Sequence, residues 1–439
     1  LAGLSGSFSG SYFNEDLQDL APLEEQVATD SEYTTRRFNH DLALNGWIRE
    51  HRYLDLLVSY SDYRREKRAF QVDFSGGQAV STELQADRDL TRFHSWMARG
   101  SYSTSVPGAA WNYQVGYDIT FSQSAGERIS DAERSIHNLA GFASLRLDPI
   151  PRLTLQPALR FARNSVYDAP LTPALNARYD FSPQVCLRAS YARGFRAPSL
   201  KELYLDLYVP AGPFVYHIAG NEDLHSERSH NLNLSLDYDR PVADGATLSL
   251  GSSLFYNKVD ELITLSVMEE NSRHYINLDR FTSYGANLQL EYQHPRGLDI
   301  DVGISETARY NLLSKAYPIS SFSYTPDANC RVTWRLRGAG LKTSLAYRYN
   351  GRVPGYYEFT DRKSREQEIR ETVVEDYHLL DLTLVKTMND GAVDVEVGAK
   401  NLLGVKNIET TDRSAGAAHS SNLAGWGRTL FTRLEIHLQ

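Results

Sequence analysis

Apolar and polar residues alternate one for one along much of this chain, and a period of two dictates extended strands with two unlike faces. In "WNYQVGYDITF", Trp111, Tyr113, Val115, Tyr117, Ile119 and Phe121 fall on one face, and Asn112, Gln114, Gly116, Asp118 and Thr120 on the other. "NLNLSLDY" sets Leu232, Leu234, Leu236 and Tyr238 against Asn231, Asn233, Ser235 and Asp237. "YGANLQLEY" and "LKTSLAYRY" repeat the pattern through Tyr284, Ala286, Leu288, Leu290 and Tyr292, and through Leu341, Thr343, Leu345, Tyr347 and Tyr349. A helix needs apolar residues three and four apart, which these stretches lack.

The segments often reach about ten residues, longer than the ~5–6 usual in soluble sheets. Their connections alternate too. Short links recur near 49, 105, 148, 181, 240, 294, 337 and 388. Long polar links lie near 14–34, 72–86, 122–134, 163–171, 195–226, 267–273, 312–320, 352–374 and 403–427. Short turns at one end and long loops at the other describe an all-β, antiparallel transmembrane β-barrel, with roughly 18 strands present. The 27 Tyr, 17 Phe and 5 Trp of this 439-residue chain often stand near the ends of the apolar faces, as at the rims of a lipid-facing band. A soluble sandwich also alternates, but its strands are shorter. In the last strand, "GRTLFTRLEIHLQ", Leu430, Leu434, Ile436 and Leu438 are expected to face lipid, and Arg433, Glu435 and His437 the lumen. Counting back from it, the link at 195–226 falls on the extracellular side.

No run approaches the ~18 consecutive apolar residues of a spanning helix, and the mean hydropathy is negative. Cys186 and Cys330 fall on different strands with opposite facing, so no disulfide is expected between them, and zinc spacings are absent. The net charge of −9 argues against a nucleic-acid partner. There is no H-E-x-x-H, no phosphate-binding loop and no Ser-His-Asp context. The Glu269–Glu270 pair lies in a loop and reads as solvated. The protein is therefore not expected to be an enzyme. The chain opens inside an alternating pattern without a signal peptide, and its native start is expected upstream.

Two phrases interrupt the alternation: "YARGFRAPSLKELY" and "GNEDLHSERSHNLNL". Together they resemble the paired boxes of TonB-dependent outer-membrane receptors, a Phe-Arg-Ala-Pro phrase followed by Asn-Pro-Asp-Leu or Asn-Pro-Asn-Leu. Phe195, Arg196, Ala197 and Pro198 match the first; Asn221, Glu222, Asp223 and Leu224 match the second with Glu in place of Pro. "LFYNKVDELITL", "YINLDRFTSYGANLQLEY" and "VGAKNLLGVKN" resemble later strands of that family. The resemblance covers the C-terminal half of the chain and a little more. It implies a barrel of about twenty-two strands enclosing an N-terminal plug. Residues 1–439 then read as the barrel part, with the plug and first strands missing and the 195–226 link as the seventh extracellular loop. It also implies a Gram-negative outer membrane, outer-membrane lipids as surroundings, and coupling to the TonB complex through the missing plug. The terminal Gln439 departs from the aromatic residue with which the family usually ends.

From the residues alone, Pro198 fixes its backbone and biases Ala197 to an extended form, while Gly220 and Asn221 suit a turn. Arg196, Pro198 and Asn221 can thus shape the base of the loop. His217 lies between the two boxes, and haem-importing receptors of the resembled family carry a histidine there. A neutral imidazole nitrogen can ligate haem iron. Phe214, Val215, Tyr216 and Ile218 can cover an apolar macrocycle, and Lys201 or Arg196 can meet a propionate. An ordinary loop histidine is the competing reading, and His225 and His230 are weaker candidates.

The ligand-binding set is accordingly His217, as the metal ligand, with Phe195, Arg196, Tyr204, Tyr208, Phe214, Tyr216 and Asn221. Haem would be cargo, with no resident cofactor. The leading function is import of an iron-containing nutrient, with haem first among them, taken as free haem, a haemoprotein or another iron chelate, with a surface lipoprotein as a further partner. Cobalamin or a ferric siderophore is the alternative, served by Tyr204, Tyr208, Tyr356 and Tyr357 without an axial histidine. A passive porin of about 18 strands needs neither box nor long loops, and a barrel hydrolase needs a nucleophile that the sequence does not offer.

Overall fold

The computed structural model describes residues 3–20, 27–74, 76, 78–82, 88–130, 133–211, 214–266, 272–360, 367–408, 423–424 and 427–437. The Glu269–Glu270 pair, Leu438 and Gln439 lie outside these. Two compact units divide the chain: Leu1–Asn176 with Ala192–His230 and Val259–Arg280, and Ala177–Tyr191 with Asn231–Lys258 and Phe281–Gln439.

The first unit holds seven long strands in sequence: Leu4–Asp19, Val27–Arg49, Arg52–Asp73, Arg88–Thr104, Trp111–Gly126, Glu133–Ile150 and Leu153–Asn164. Each pairs antiparallel with the next. The second unit holds six: Leu298–Tyr310, Phe322–Leu336, Leu341–Asn350, Tyr377–Met388, Val393–Lys400 and Thr429–Ile436, again each antiparallel to the next. Five more, Thr172–Ser182, Val185–Arg196, Glu227–Pro241, Thr247–Leu265 and Ser272–His294, give residues to both units. Apart from the short Gln78–Ser81, the hairpins Asp206–Ala211/Phe214–Ala219 and Val353–Thr360/Gln367–Val374 and two two-residue pieces, the strands number eighteen among the described residues, the number the sequence rhythm predicts.

All eight short links occur where the sequence places them. Turns follow Arg49, Thr104, Ile150, Ser182, Pro241, His294, Leu336 and Met388. Three of them close on 3-10 turns, at Ala243–Gly245, Arg337–Ala339 and Asn389–Gly391. The long links differ. Much of the predicted 14–34 loop is strand, paired from Asn14–Arg36 to Asp19–Ser31, and 352–374 contains the hairpin Val353–Thr360 with Gln367–Val374. These extensions carry polar residues on both faces, so no hydrophobic alternation betrays them, yet the ladder satisfies their backbone groups.

One face of the strands is apolar and open. Trp111, Val115, Tyr117 and Phe121, the face predicted for that strand, are all exposed, as are Leu232, Leu234 and Leu236, and Leu430, Leu434 and Ile436. Phe38, Leu42, Val58 and Trp96 continue this face on neighbouring strands. The other face is polar and cross-linked: Ser59 donates to Asp41 and Ser61 to Asn39, and Arg99 and Arg160 both reach Asp118, at 2.8 and 3.4 Å. Aromatic residues bound the apolar face. Trp111 and Tyr113 stack near the turn end, and Phe121 lies ten residues on. Ten residues of strand span about 33 Å, or about 25 Å of height at the usual barrel tilt, which is the thickness of a lipid-facing band. Cys186 and Cys330 are free thiols.

Candidate functional site

Residues 195–226 fold as a short helix and a hairpin, all within the first unit. The helix Leu200–Tyr204 starts because Ser199 caps it: its hydroxyl accepts from Glu202 N–H at 3.2 Å, and the Glu202 carboxylate accepts from Ser199 N–H at 2.7 Å. This reciprocal box satisfies two backbone donors that a helix start leaves free. Pro198 precedes the cap, fully buried. The helix sets Leu200, Leu203 and Tyr204 into a cluster with Ile129, Leu224 and Ile263, flanked by Phe93, Ile136 and Tyr275. A side chain such as Leu203, 2% exposed, gains about 2 kcal/mol from such burial.

Arg196 ties the two boxes together. Its guanidinium donates to both Glu202 oxygens, at 3.1 and 3.0 Å, and to Glu227 at 2.5 Å. Glu227 is buried and also accepts from Ile263 N–H at 2.9 Å. Asn221 donates to the Tyr275 carbonyl at 2.9 Å and accepts from Asp223 N–H, while its own N–H reaches the Glu202 carbonyl. Asn277 completes the clamp: its amide oxygen accepts from His225 N–H, and its amide nitrogen donates to the carbonyls of His225 and Glu261. Glu261 holds a left-handed φ of 59°, a bend that the Asn277 bond helps to hold. Arg134 lies over the Tyr204 ring at 4.6 Å and approaches Glu222 at 3.5 Å.

Burial, the largest single influence on the Glu202 carboxyl, pushes it up. The bonds from Arg196 and Ser199 outweigh it and hold the group below the ordinary glutamate range. Its contribution to loop anchoring is therefore full above the ordinary value near ~4.3 and is lost as pH falls through the lower folded-state value. Amide exchange in 199–224 is expected to stay slow at mildly acidic pH and to accelerate only below that range. Acceleration already at pH 6 would contradict the assignment. Beside this loop, burial pushes the Tyr167 phenol up to about 12.

Beyond the helix, Asp206–Ala211 pairs with Phe214–Ala219 as an antiparallel hairpin, and His217 lies directly across from Tyr208. The two rings stack at 4.3 Å and 9°. His217 Nε2 is 2.8 Å from Asp206 Oδ1. A carboxylate only accepts, so Nε2 is the donor in this contact, and in a neutral imidazole so held the lone pair is on Nδ1.

The predicted set thus separates into two groups. Arg196, Asn221 and Tyr204 are engaged in the base of the loop, and Phe195 lies 6.5 Å from Tyr167. Tyr208, Tyr216 and His217 share the hairpin, with Tyr208 and Val215 exposed and Tyr216 half-buried. Phe214 pairs with Ala211 through its backbone, and its side chain lies outside the described residues. Lys201 is exposed, and Tyr356 and Tyr357 stand half-buried on their own hairpin. Among the described residues no three His, Cys, Asp or Glu side chains gather as a metal site. Glu227 and Asn277 stand inside the quoted phrases "GNEDLHSERSHNLNL" and "YINLDRFTSYGANLQLEY" without being singled out as site residues, and Arg134 lies outside any such phrase. Glu227 and Arg134 meet side-chain partners 31 and 88 residues away, and Asn277 meets Glu261 and His225 at 16 and 52, so the strand register is what brings them in.

The family described as "TonB dependent receptor-like, beta-barrel" matches residues 3–402. The chain belongs to that family. This receptor barrel is 24% identical over 382 residues to the ferrienterobactin receptor of Escherichia coli K12, covering 76% of this chain and 48% of that protein. It is 23% identical over 236 residues to the vitamin B12 transporter BtuB of Vibrio cholerae serotype O1, covering 45% and 36% respectively. The chain thus spans half or less of these relatives' length. Among solved structures, the siderophore receptor PirA of Acinetobacter baumannii has a TM-score of 0.71 at 12% identity, covering 97% of this chain and 71% of that one. The hemophore receptor HasR of Serratia marcescens, in complex with hemophore HasA and heme, has a TM-score of 0.66 at 15% identity, covering 98% and 69%. At these identities the likeness is one of fold: the antiparallel TonB-dependent receptor barrel. The named relatives are receptors and a transporter. No helix among the described residues is long and apolar enough to cross a membrane, which leaves crossing by strands open.

Proposed function

We propose that residues 1–439 form the membrane-spanning barrel of an outer-membrane importer for an iron-containing nutrient, and that this nutrient is haem. The family membership and the open apolar face between aromatic rows support the membrane assignment. In such a receptor the long loops capture the ligand, and the TonB complex drives its passage.

The Asp206–His217 pair carries the haem reading. A carboxylate that takes the Nε2 proton fixes the imidazole's tautomer and makes Nδ1 a better donor to iron, the arrangement common to metal-bound histidines. Tyr208, stacked on the ring, restricts its rotation. Haem added to the detergent-solubilised protein is expected to give a shifted Soret band. His217→Ala should abolish the shift, and Asp206→Asn should weaken haem binding about 10–100-fold. A full shift in His217→Ala would remove haem ligation from this residue.

A ferric siderophore is the second reading, favoured by the names of the E. coli relative and the A. baumannii structure. Quenching of intrinsic fluorescence by a ferric catecholate, unchanged in His217→Ala, would select it.

A further inference from the structure

The hairpin that carries His217 does not stand alone. Its second strand, Phe214–Ala219, pairs in parallel with the start of Ser272–His294: His217 is across from Ser272, Ile218 from Arg273 and Ala219 from His274. On its other side it pairs antiparallel, with Tyr208 across from His217 and Asp206 across from Ala219. Residues paired across neighbouring strands point to the same face, and so do alternate residues of one strand. Asp206, Tyr208, His217, Ala219, Ser272 and His274 therefore share one face of a patch of three strands. Ile218, Arg273 and Tyr275 share the other, and Tyr275 packs there against the buried cluster. The histidine face thus looks away from that cluster, and Asp206 and His274 on it are exposed. All of these residues belong to the first unit.

Ala219 is the centre of this face. Asp206 lies on one side of it and His274 on the other, each about 5 Å away between backbones. His217 precedes Ala219 by two residues, and its ring leans toward that row: Nε2 reaches Asp206 Oδ1 at 2.8 Å while the ring plane rests on Tyr208. The small methyl group of Ala219 leaves the space above it to the three longer side chains. As they stand, the three do not gather. Exposed His274 closes the remaining distance by turning its own side chain. Its ring contact, from Nδ1 to Ser266 Oγ at 3.5 Å, is too long to hold it back.

We propose that this face binds a divalent transition-metal ion of the zinc class, held above Ala219 by Asp206, His217 and His274. Two imidazoles and one carboxylate are a ligand set that suits zinc. At metal–ligand lengths of about 2.0–2.2 Å, tetrahedral neighbours stand about 3.4 Å apart, so Nε2 and Oδ1 need part by only about half an ångström. The ion takes the place of the proton that His217 Nε2 donates to Asp206. That proton moves to Nδ1, and the imidazole stays neutral and coordinates through Nε2. The ion also fastens the hairpin to the strand Ser272–His294. The site goes beyond the haem reading and stands without it. One consequence alone rests on that reading: where His217 serves haem iron through Nδ1, the two occupants exclude each other, because that nitrogen then carries the proton.

The test titrates untagged, purified protein in neutral detergent with Zn²⁺ against a chromophoric chelator. The wild type is expected to bind one ion per chain. His274→Ala and His217→Ala should each weaken binding by more than the about 10–100-fold that loss of an outer-shell partner costs. His378→Ala, which removes an exposed histidine on another strand, should leave it unchanged. Zn²⁺ should also slow amide exchange in 214–219 and 272–274 of the wild type, a measurement that needs no variant. Absence of binding by the wild type, equal binding by wild type and His274→Ala, or amide exchange unchanged by Zn²⁺ overturns the proposal. Haem added to His274→Ala should still shift the Soret band, and Zn²⁺ should suppress that shift in the wild type only. A wild type that binds Zn²⁺ as described but gives no Soret shift removes the haem reading and upholds the ion site, which separates the two failures.

Discussion

Arg196→Ala is expected to release the 195–226 loop from its base while leaving the strands paired. The side chain is 46% exposed, but its two partners are not: Glu202 and Glu227 keep 15% and 11% of their side chains exposed. Removing the guanidinium leaves two carboxylates close together in a dry setting, with only backbone and cap donors to hold them. Breaking a fully buried pair costs about 3–5 kcal/mol and an exposed one about 0–1. The half-exposed arginine puts this loss at about 2–4 kcal/mol. Because Glu227 also accepts from Ile263 N–H, the damage should spread to the strand Thr247–Leu265. Limited proteolysis should nick the variant within 199–224 well before the wild type, and Arg196→Lys should recover only part of the protection, since one ammonium cannot fork across two carboxylates. Wild-type resistance in Arg196→Ala would show that the apolar cluster alone holds the loop.

That expectation recasts what the box residues are for. In the sequence, Arg196 and Asn221 read equally as shapers of the loop and as contacts to a ligand. In the fold their polar atoms are engaged by Glu202, Glu227, Tyr275 and Asp223. The barrel itself was legible because alternation reports a face directly: of the outward set on one strand, Trp111, Val115, Tyr117 and Phe121 are exposed, and Tyr113 and Ile119 are half-buried. Turns were legible because short links between alternating runs leave little choice. The ends of the long strands were not, since above the apolar band both faces are polar and a period of two carries no contrast. Nor was the row of Arg36, Arg64 and Arg92, which become neighbours only through the register of three strands. The clamping role of Asn277 was hidden in the same way, although the residue stands in a quoted phrase, because the His225 peptide it holds is 52 residues away. Signals of this kind need pairing, which a single sequence does not display.

Gly220→Ala is expected to be as damaging as any substitution in the loop, although it adds one methyl group. A Cβ there would stand 2.5 Å from both the carbonyl carbon and the oxygen of Leu203, and 2.6 Å from Leu205 N. All three are main-chain atoms at the end of the helix, so no rotamer change relieves the contact. The same close approach lets Gly220 N–H donate to the Leu205 carbonyl at 2.6 Å and Asn221 N–H to the Glu202 carbonyl at 2.9 Å. Relief therefore requires the helix to move off the second box, which breaks both bonds and lifts Leu203 from Leu224 and Ile263. Overpacking that side chains can absorb costs about 1–3 kcal/mol, and two lost backbone bonds add about 1 kcal/mol each. Leu203→Ala, which empties the same cluster without a clash, should cost about 2–5 kcal/mol. The two variants separate the causes when combined. If the main-chain contact is at fault, shrinking Leu203 cannot rescue Gly220→Ala, and the double variant should show amide exchange across 199–224 at least as fast as either single one. Recovery of protection in the double variant would instead place the conflict in the side-chain packing.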